Sequence, residues 1–271
     1  EQLKVLGISA DEIMNKFPQL IYGNLTSYGS VGQDASTPGY DATVQARTGI
    51  MHLTGESDGD PVRVGVSILD LGSGTWLAMG ILAALLERNK TGKGSLVETS
   101  LYETGVAWVS YHLSAFQILG SPSVRSGSGH PTFSPYGLFK TKDNDICIGV
   151  GSDAVFQRLC IQIGREDLIK DELYISNVGR VQNRKKLTEE IEQALVEKPA
   201  AYWAQKLGSN GVPADLLVRP EALFDDPQVK EVGMLLSNPD KDSSVKLIPG
   251  LPIKFNGQRP EIYRSAPHKE S

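Results

Sequence analysis

The sequence predicts an α/β chain: part of an open parallel sheet with covering helices, followed by a smaller α+β domain. Three observations carry that reading. In the first 120 residues, short strand-like runs alternate with longer helix-like runs, the order that parallel sheets require. Residues 1–120 hold 7 Lys/Arg and 12 Asp/Glu, whereas residues 121–271 hold 20 and 20, a shift that marks two regions of different solvent exposure. Between them, residues 120–131 (GSPSVRSGSGHP) have the composition of a linker or mobile loop. The expected organisation is therefore a larger domain over residues 1–120, a Gly/Ser-rich loop over 121–131, a small α+β domain over 132–225, and a return linker with a late strand over 226–271.

Taken in order, Ser9 is placed to cap a short helix over ADEIMNKF, and Pro18 ends it before the strand-like QLIYGNLTSYG. YDATVQARTG reads as a short helix. Val62, Val64, Val66 and Ile68 alternate as a strand does, which puts Asp70 just past a strand end and lets Ser73 cap the apolar helix that follows. That run, GTWLAMGILAALL over 74–86, is shorter than the roughly 20 residues a bilayer needs and reads as a buried helix that Gly92 stops. A strand over 95–100 and a helix over 102–119 complete the series. In the second region PYGLFKT and ICIGVG flank Asp143-Asn144-Asp145 as a hairpin. Helices follow over 154–164, over 181–198 with Leu187, Ile191 and Leu195 on one face, and over 199–207; strands are expected over 212–218 and 248–255.

Composition excludes several functions. Hydrophobic residues make up 40% against 22% charged, a globular balance rather than a disordered one, and the formal charge of -5 lacks the basic face of a nucleic-acid binder. No membrane partner is expected. Cys147 and Cys160 cannot build a disulfide framework, read as plain core residues, and favour a reducing, intracellular setting, cytoplasmic or mitochondrial. No targeting segment is visible. His52, His112, His130 and His268 show no metal-ligand spacing, so no metal is expected. GSGTWL places Leu77 where a dinucleotide fingerprint needs a small residue, GVGSDA follows a hairpin arm, and no G-x-S-x-G elbow is present. What remains is Asp70, followed by a Gly-Ser-Gly turn and a helix N-terminus. It reads equally as a ligand-facing carboxylate in the crevice of an α/β sheet or as a structural helix cap.

Five runs together, FPQLIYGNLTSYGSVG, PGYDATVQARTGIMHLTG, PVRVGVSILDLGSG, LERNKTGKG and PYGLFKTKDNDICIGVG, resemble the family III CoA-transferases, above all the branch that contains succinyl-CoA:glutarate CoA-transferase. The resemblance implies an enzyme that moves CoA between a donor acyl-CoA and an acceptor carboxylic acid through aspartyl anhydride and aspartyl-CoA intermediates, with Asp70 as nucleophile and no cofactor beyond CoA itself as substrate. It places Gly39, Tyr40 and Asp41 at the substrate, and it likens the loop Ser126-Gly127-Ser128-Gly129-His130 to one that folds over the acyl group, with Gly127 and Gly129 near the acyl oxygen. The same loop also reads as a tether between the two regions. The resemblance further implies a homodimer of interlocked rings and a longer protein than this chain, with an N-terminal Rossmann-like part. Racemases of 2-methylacyl-CoA share the layout but place a histidine where this chain has Tyr40, and a phenol, ordinarily ionising near pH 10, is a poor base near neutrality. Pro38 stands where some members have lysine. Arg47 and Arg63 are candidates for a distal carboxylate of the acid. A catalytically silent dimerisation piece is the remaining alternative.

Overall fold

The computed structural model describes residues 2–265; His268 lies outside them. Helix α1 (Gln2–Val5) is followed by α2 (Ala10–Lys16), where Ser9 takes the expected N-cap position and forms a capping box with Glu12, the Ser9 amide donating to Glu12 Oε2 at 3.3 Å. Strand β1 (Tyr22–Thr26) then runs parallel to β2 (Leu96–Ser100), in register from Tyr22↔Leu96 to Thr26↔Ser100. Parallel pairing demands a crossover, supplied by α3 (Asp41–Arg47), α4 (Ile50–Leu53) and the 24-residue α5 (Ile68–Thr91). The inner side of α5 lies on β1, β2 and α6 (Leu101–Trp108). The approach is close: a Cβ on Gly80 would stand 2.6 Å from Val97 Cγ1. Val44, Ile50, Leu69, Leu101 and Val109 form the core of this lobe.

Three expectations change here. Residues 62–67 form no strand: the chain bends at 65–66 and enters α5 at Ile68, and no ladder partner bonds it among the described residues. Their amides turn elsewhere, Val62 to Thr54 O at 3.1 Å and Val64 to Gln45 Oε1 at 2.9 Å. Asp70 therefore sits in the first turn of α5, and Ser73 lies inside the helix rather than at its cap. Nor is α5 a buried helix: Leu71, Met79, Leu82 and Leu86 are 55–67% exposed along its outer face. With 24 residues it is also long and apolar enough, by length and composition alone, to cross a membrane, so the shortness inferred from the sequence does not hold. The single helix expected over 102–119 is two, α6 and α7 (Ser110–Leu119), broken at Val109, which is buried in the core.

The second lobe matches the hairpin expectation: β3 (Tyr136–Lys140) and β4 (Asp145–Gly149) pair antiparallel, and β5 (Ala214–Leu216) joins the far edge of β4. Helices α8 (Asp153–Gln162), α9 (Asp167–Lys170), α10 (Asn177–Gln182), α11 (Arg184–Leu195) and α12 (Ala200–Ser209) accompany this sheet. Leu187, Ile191 and Leu195 are fully buried, as their spacing implies; the helix they were assigned to begins only at Arg184, after α10. A 3₁₀ turn (Pro220–Phe224), α13 (Pro227–Glu231) and the short pair β6 (Leu235–Ser237) and β7 (Leu247–Pro249) follow. The late strand is thus cut short at its first proline.

Two features of this lobe generate tests. Arg180, 1% exposed, donates to Ser134 O at 2.8 Å, Tyr174 O at 2.9 Å and Asp153 Oδ1 at 2.6 Å, and its guanidinium lies over the Phe156 ring. Arg180→Met strips the acceptors of their donor and is expected to cost about 2–4 kcal/mol in urea unfolding. The alternation of β4 buries Ile146 and Ile148 and turns Cys147 outward, which corrects its assignment to the core; Cys160 is buried, and burial pushes its thiol up to about 12. Titration of the native protein with a disulfide reagent should modify one thiol, Cys147, with the second reacting only after denaturation.

Candidate functional site

The site is built from the N-terminus of α3. Asp41, its first residue, is 6% exposed. One carboxylate oxygen accepts from Gln45 Nε2, one helical turn on, at 2.5 Å; the other accepts from the amides of Leu69 at 2.7 Å and Asp70 at 3.3 Å. Gln45, fully buried, accepts in turn from the Val64 amide. A carboxylate on one helix thus caps another helix, while Ser67, at the N-cap position of α5, makes no side-chain cap bond. The side-chain cap on these amides is thus supplied by Asp41 and not by Asp70. The Asp70 side chain is left exposed, and no hydrogen bond or ion pair among the described residues engages it.

The next turn of α5 is fixed from two sides. Ser73, fully buried, bonds Thr104 Oγ1 at 2.7 Å and donates to Ser100 O at 3.3 Å. The Trp108 ring presses on Gly72, where a Cβ would stand 2.4 Å from it. Asp70 therefore projects from a backbone whose position is set by Asp41, Ser73 and Trp108 together, the kind of support a reacting group needs.

Gly39 and Tyr40 lie beside this turn. Gly39 O accepts from Ser27 Oγ at 3.0 Å, just past the carboxyl end of β1, where open α/β sheets bind ligands. The Tyr40 amide donates to Thr43 Oγ1 at 2.9 Å, and its ring is 83% exposed. The structure thus sets Asp41 beneath the Asp70 amide rather than open to a ligand, with Gly39 and Tyr40 leading directly into Asp41.

Gly127 and Gly129 lie apart from this arrangement. They line a cavity of about 260 Å³ together with Ile68 and Trp108, and Asp70 is not among its walls. Ile68 and Asp70 are two residues apart and so about 200° apart around the helix; the two halves of the expected site share the first turn of α5 but occupy different sides of it. The loop itself is held at both ends. Arg125 donates to three carbonyls, His52 at 3.2 Å, Glu56 at 3.2 Å and Gly59 at 2.8 Å, and Gly127 N donates to Gly55 O. On the other side Ser128 Oγ accepts from the Leu138 amide, and Arg184 Nη2 donates to His130 O at 2.6 Å. It is a strap between the lobes and not a loose tether.

His112, on the cavity wall, bonds Ser123 Oγ at 3.1 Å, and its pKa is lowered by burial first and by His130 second. Arg47 pairs with Asp34 at 3.5 Å and Arg63 donates to Val64 O, and neither pairs with Asp70. Sequence reasoning missed Gln45, Trp108, Arg125 and Arg184. For Gln45 a signal existed, the i,i+4 spacing from Asp41 on a predicted helix; the others act across the chain.

The division of labour between the two carboxylates is measurable. Asp41→Ala is expected to lower stability by about 2 kcal/mol in urea unfolding, since a charge-assisted cap and a buried partner for Gln45 are lost together. Asp70→Ala should change it by less than about 0.5 kcal/mol, as for other exposed side chains.

The profile of CoA-transferase family III matches residues 1–270. The chain is 34% identical to the acetyl-CoA:oxalate CoA-transferase of Acetobacter aceti, covering 93% of this chain and 64% of that one, and 32% identical to the succinyl-CoA:glutarate CoA-transferase of Homo sapiens, covering 94% and 58%. Among solved structures, Rv3272 from M. tuberculosis superposes with a TM-score of 0.83 at 29% identity, over 95% of this chain and 69% of that one. A CAIB/BAIF family protein from Brucella suis superposes with a TM-score of 0.76 at 30% identity, over 96% and 70%. The chain spans about three fifths of the length of these two curated relatives.

Proposed function

This chain belongs to CoA-transferase family III, and from that premise we propose that it carries the nucleophile of a CoA transfer between two carboxylic acids, with Asp70 in that role. The observation that carries the reading is the Asp70 carboxylate itself, exposed and unengaged on a helix turn whose capping is done by Asp41. An acidic side chain kept free of structural work, on a backbone held from three sides, is what covalent catalysis by a carboxylate requires.

The steps balance without an outside reagent. An Asp70 oxygen attacks the thioester carbonyl of the donor, the C–S bond breaks, and CoA leaves as thiolate from a mixed anhydride. The thiolate attacks the Asp70 acyl carbon and expels the donor acid, leaving an aspartyl-CoA thioester. The acceptor carboxylate attacks that carbon and releases the thiolate, which then takes the acceptor acyl group and frees Asp70. Asp41 holds the Asp70 backbone still through these four displacements, and the exposed Tyr40, next to Asp41 in the chain, is assigned to the substrate. Both intermediates hydrolyse readily, and water exclusion over the acyl group is the role assigned here to the strap through Gly127 and Gly129, which stands beside Ile68. The relatives named above act, by their names, on acetyl-CoA with oxalate and on succinyl-CoA with glutarate, which supports a short dicarboxylic acid as one partner. Assembly as an interlocked homodimer belongs to the same proposal.

The reading is tested with the full-length protein. Asp70→Asn should lower transfer by several orders of magnitude with the fold unchanged. Acceptor acid labelled with heavy oxygen should leave label on the Asp70 carboxylate, since the bridging oxygen of the second anhydride stays with the aspartate. A 2-methylacyl-CoA incubated in deuterated water should gain no deuterium at its α-carbon; exchange at the rate of turnover would overturn the transferase reading in favour of racemisation.

A further inference from the structure

Among the described residues, CoA transfer at Asp70 makes no use of one partly buried cation with an unpaired donor, Arg184. Arg184 opens α11 beside the strap. Its Nη2 is committed to His130 O, but its Nη1 is buried with no hydrogen-bond partner, and no carboxylate pairs with it among the described residues. Burial alone lowers the pKa of this guanidinium, with no counter-charge to offset it. Other arginines of the lobe are satisfied: Arg165 is held by Asp167 and Glu190, both at 2.8 Å, and Arg180 by Asp153. A desolvated cation with an idle donor is costly, and buried polar groups of native proteins nearly always have an acceptor.

The surroundings point to what that acceptor is. A Cβ on Gly129 would stand 2.9 Å from Nη1 and as close to Ser126 O, so the donor lies against the backbone of Gly129, a residue that lines the 260 Å³ cavity. Next to it, His130 Nδ1 accepts from the Thr132 amide at 3.2 Å. A nitrogen that accepts carries no proton, so in the neutral ring the proton sits on Nε2 as a second donor. The ring packs against Phe133 and Tyr136, centroids 4.9 and 5.4 Å away, which fixes its orientation.

We propose that Arg184 Nη1 and His130 Nε2–H form an oxyanion subsite, reached from the cavity by a small displacement of the strap at Gly129. Its ligand is a carboxylate or phosphate group, the chemistry shared by the far end of a dicarboxylic acid and by the phosphates of CoA. The choice between those two sources rests on the CoA-transfer reading; the anion site itself does not.

Equilibrium binding to the full-length protein, without turnover, tests this with inorganic phosphate, succinate against butyrate, and CoA against pantetheine. Arg184→Gln and Arg184→Lys both keep a donor for His130 O but lose the second guanidinium nitrogen. Each is expected to weaken phosphate by about tenfold or more. Each should also weaken succinate but not butyrate if the source is the acid, or CoA but not pantetheine if it is the nucleotide; a merely structural role would move both members of a pair alike. Folded variants with unchanged affinity for phosphate, succinate and CoA overturn the subsite. If neither variant folds, phenylglyoxal labelling of the unaltered protein decides: protection of Arg184 by succinate or CoA but not by butyrate or pantetheine supports the subsite, and equal labelling overturns it. Transfer intact with all affinities unchanged removes the subsite and keeps the nucleophile. Transfer absent from the parent, with phosphate binding lost in Arg184→Gln, removes the CoA-transfer reading and keeps the subsite.

Discussion

A carboxylate on one helix caps another, and the rest of the site depends on it. Asp41 reaches from the start of α3 to the amides of Leu69 and Asp70, 28 and 29 residues away, and is itself steadied by Gln45. The first four amides of any helix lack intrahelical acceptors; α5 could have satisfied one of them with its own acidic residue. Handing the task to Asp41 frees Asp70, and because Asp41 sits directly after Tyr40, the same bond ties the 39–41 turn to the first turn of α5. One interaction therefore sets the angle of the longest helix and the neighbours of its first turn.

Much of the architecture was legible because it rests on local signals. The Ser9 N-cap, the stop at Gly92, the hairpin around Asp143-Asn144-Asp145 and the buried stripe of Leu187, Ile191 and Leu195 all depend on residues within a few positions of one another. What was misread depends on partners far along the chain. Alternation over 62–68 reads as a strand whether or not a partner stands beside it, and none does. The apolar run of α5 reads as core, but apolar content cannot say which side of a helix a given stretch of chain covers. Cys147 was misplaced for a simpler reason: its neighbours Ile146 and Ile148 already point inward, which turns it out.

At the site the residue types were readable and their duties were not. Asp70 could be singled out from its setting and from the resemblance, whereas the role of Asp41 emerges only when α3 and α5 are seen end to end. Gly127 and Gly129 were taken as parts of one pocket with Asp70, yet the helix turn between Ile68 and Asp70 puts them on different sides. Arg184 gave no sequence signal at all, since an arginine that opens an amphipathic helix ordinarily looks to solvent.

The strap has a further consequence that is a matter of reach. Arg125 pins it to the first lobe and Arg184 holds it at His130 on the second, so five residues of chain span the gap between anchors. Fully extended, five residues cover at most about 18 Å. The two lobes cannot draw apart beyond that distance at this seam without releasing one arginine from its carbonyls. A hinge-like rotation of the lobes about the seam, with the leash as its pivot, keeps both arginine clasps in place, whereas a parting wider than the slack in those five residues does not.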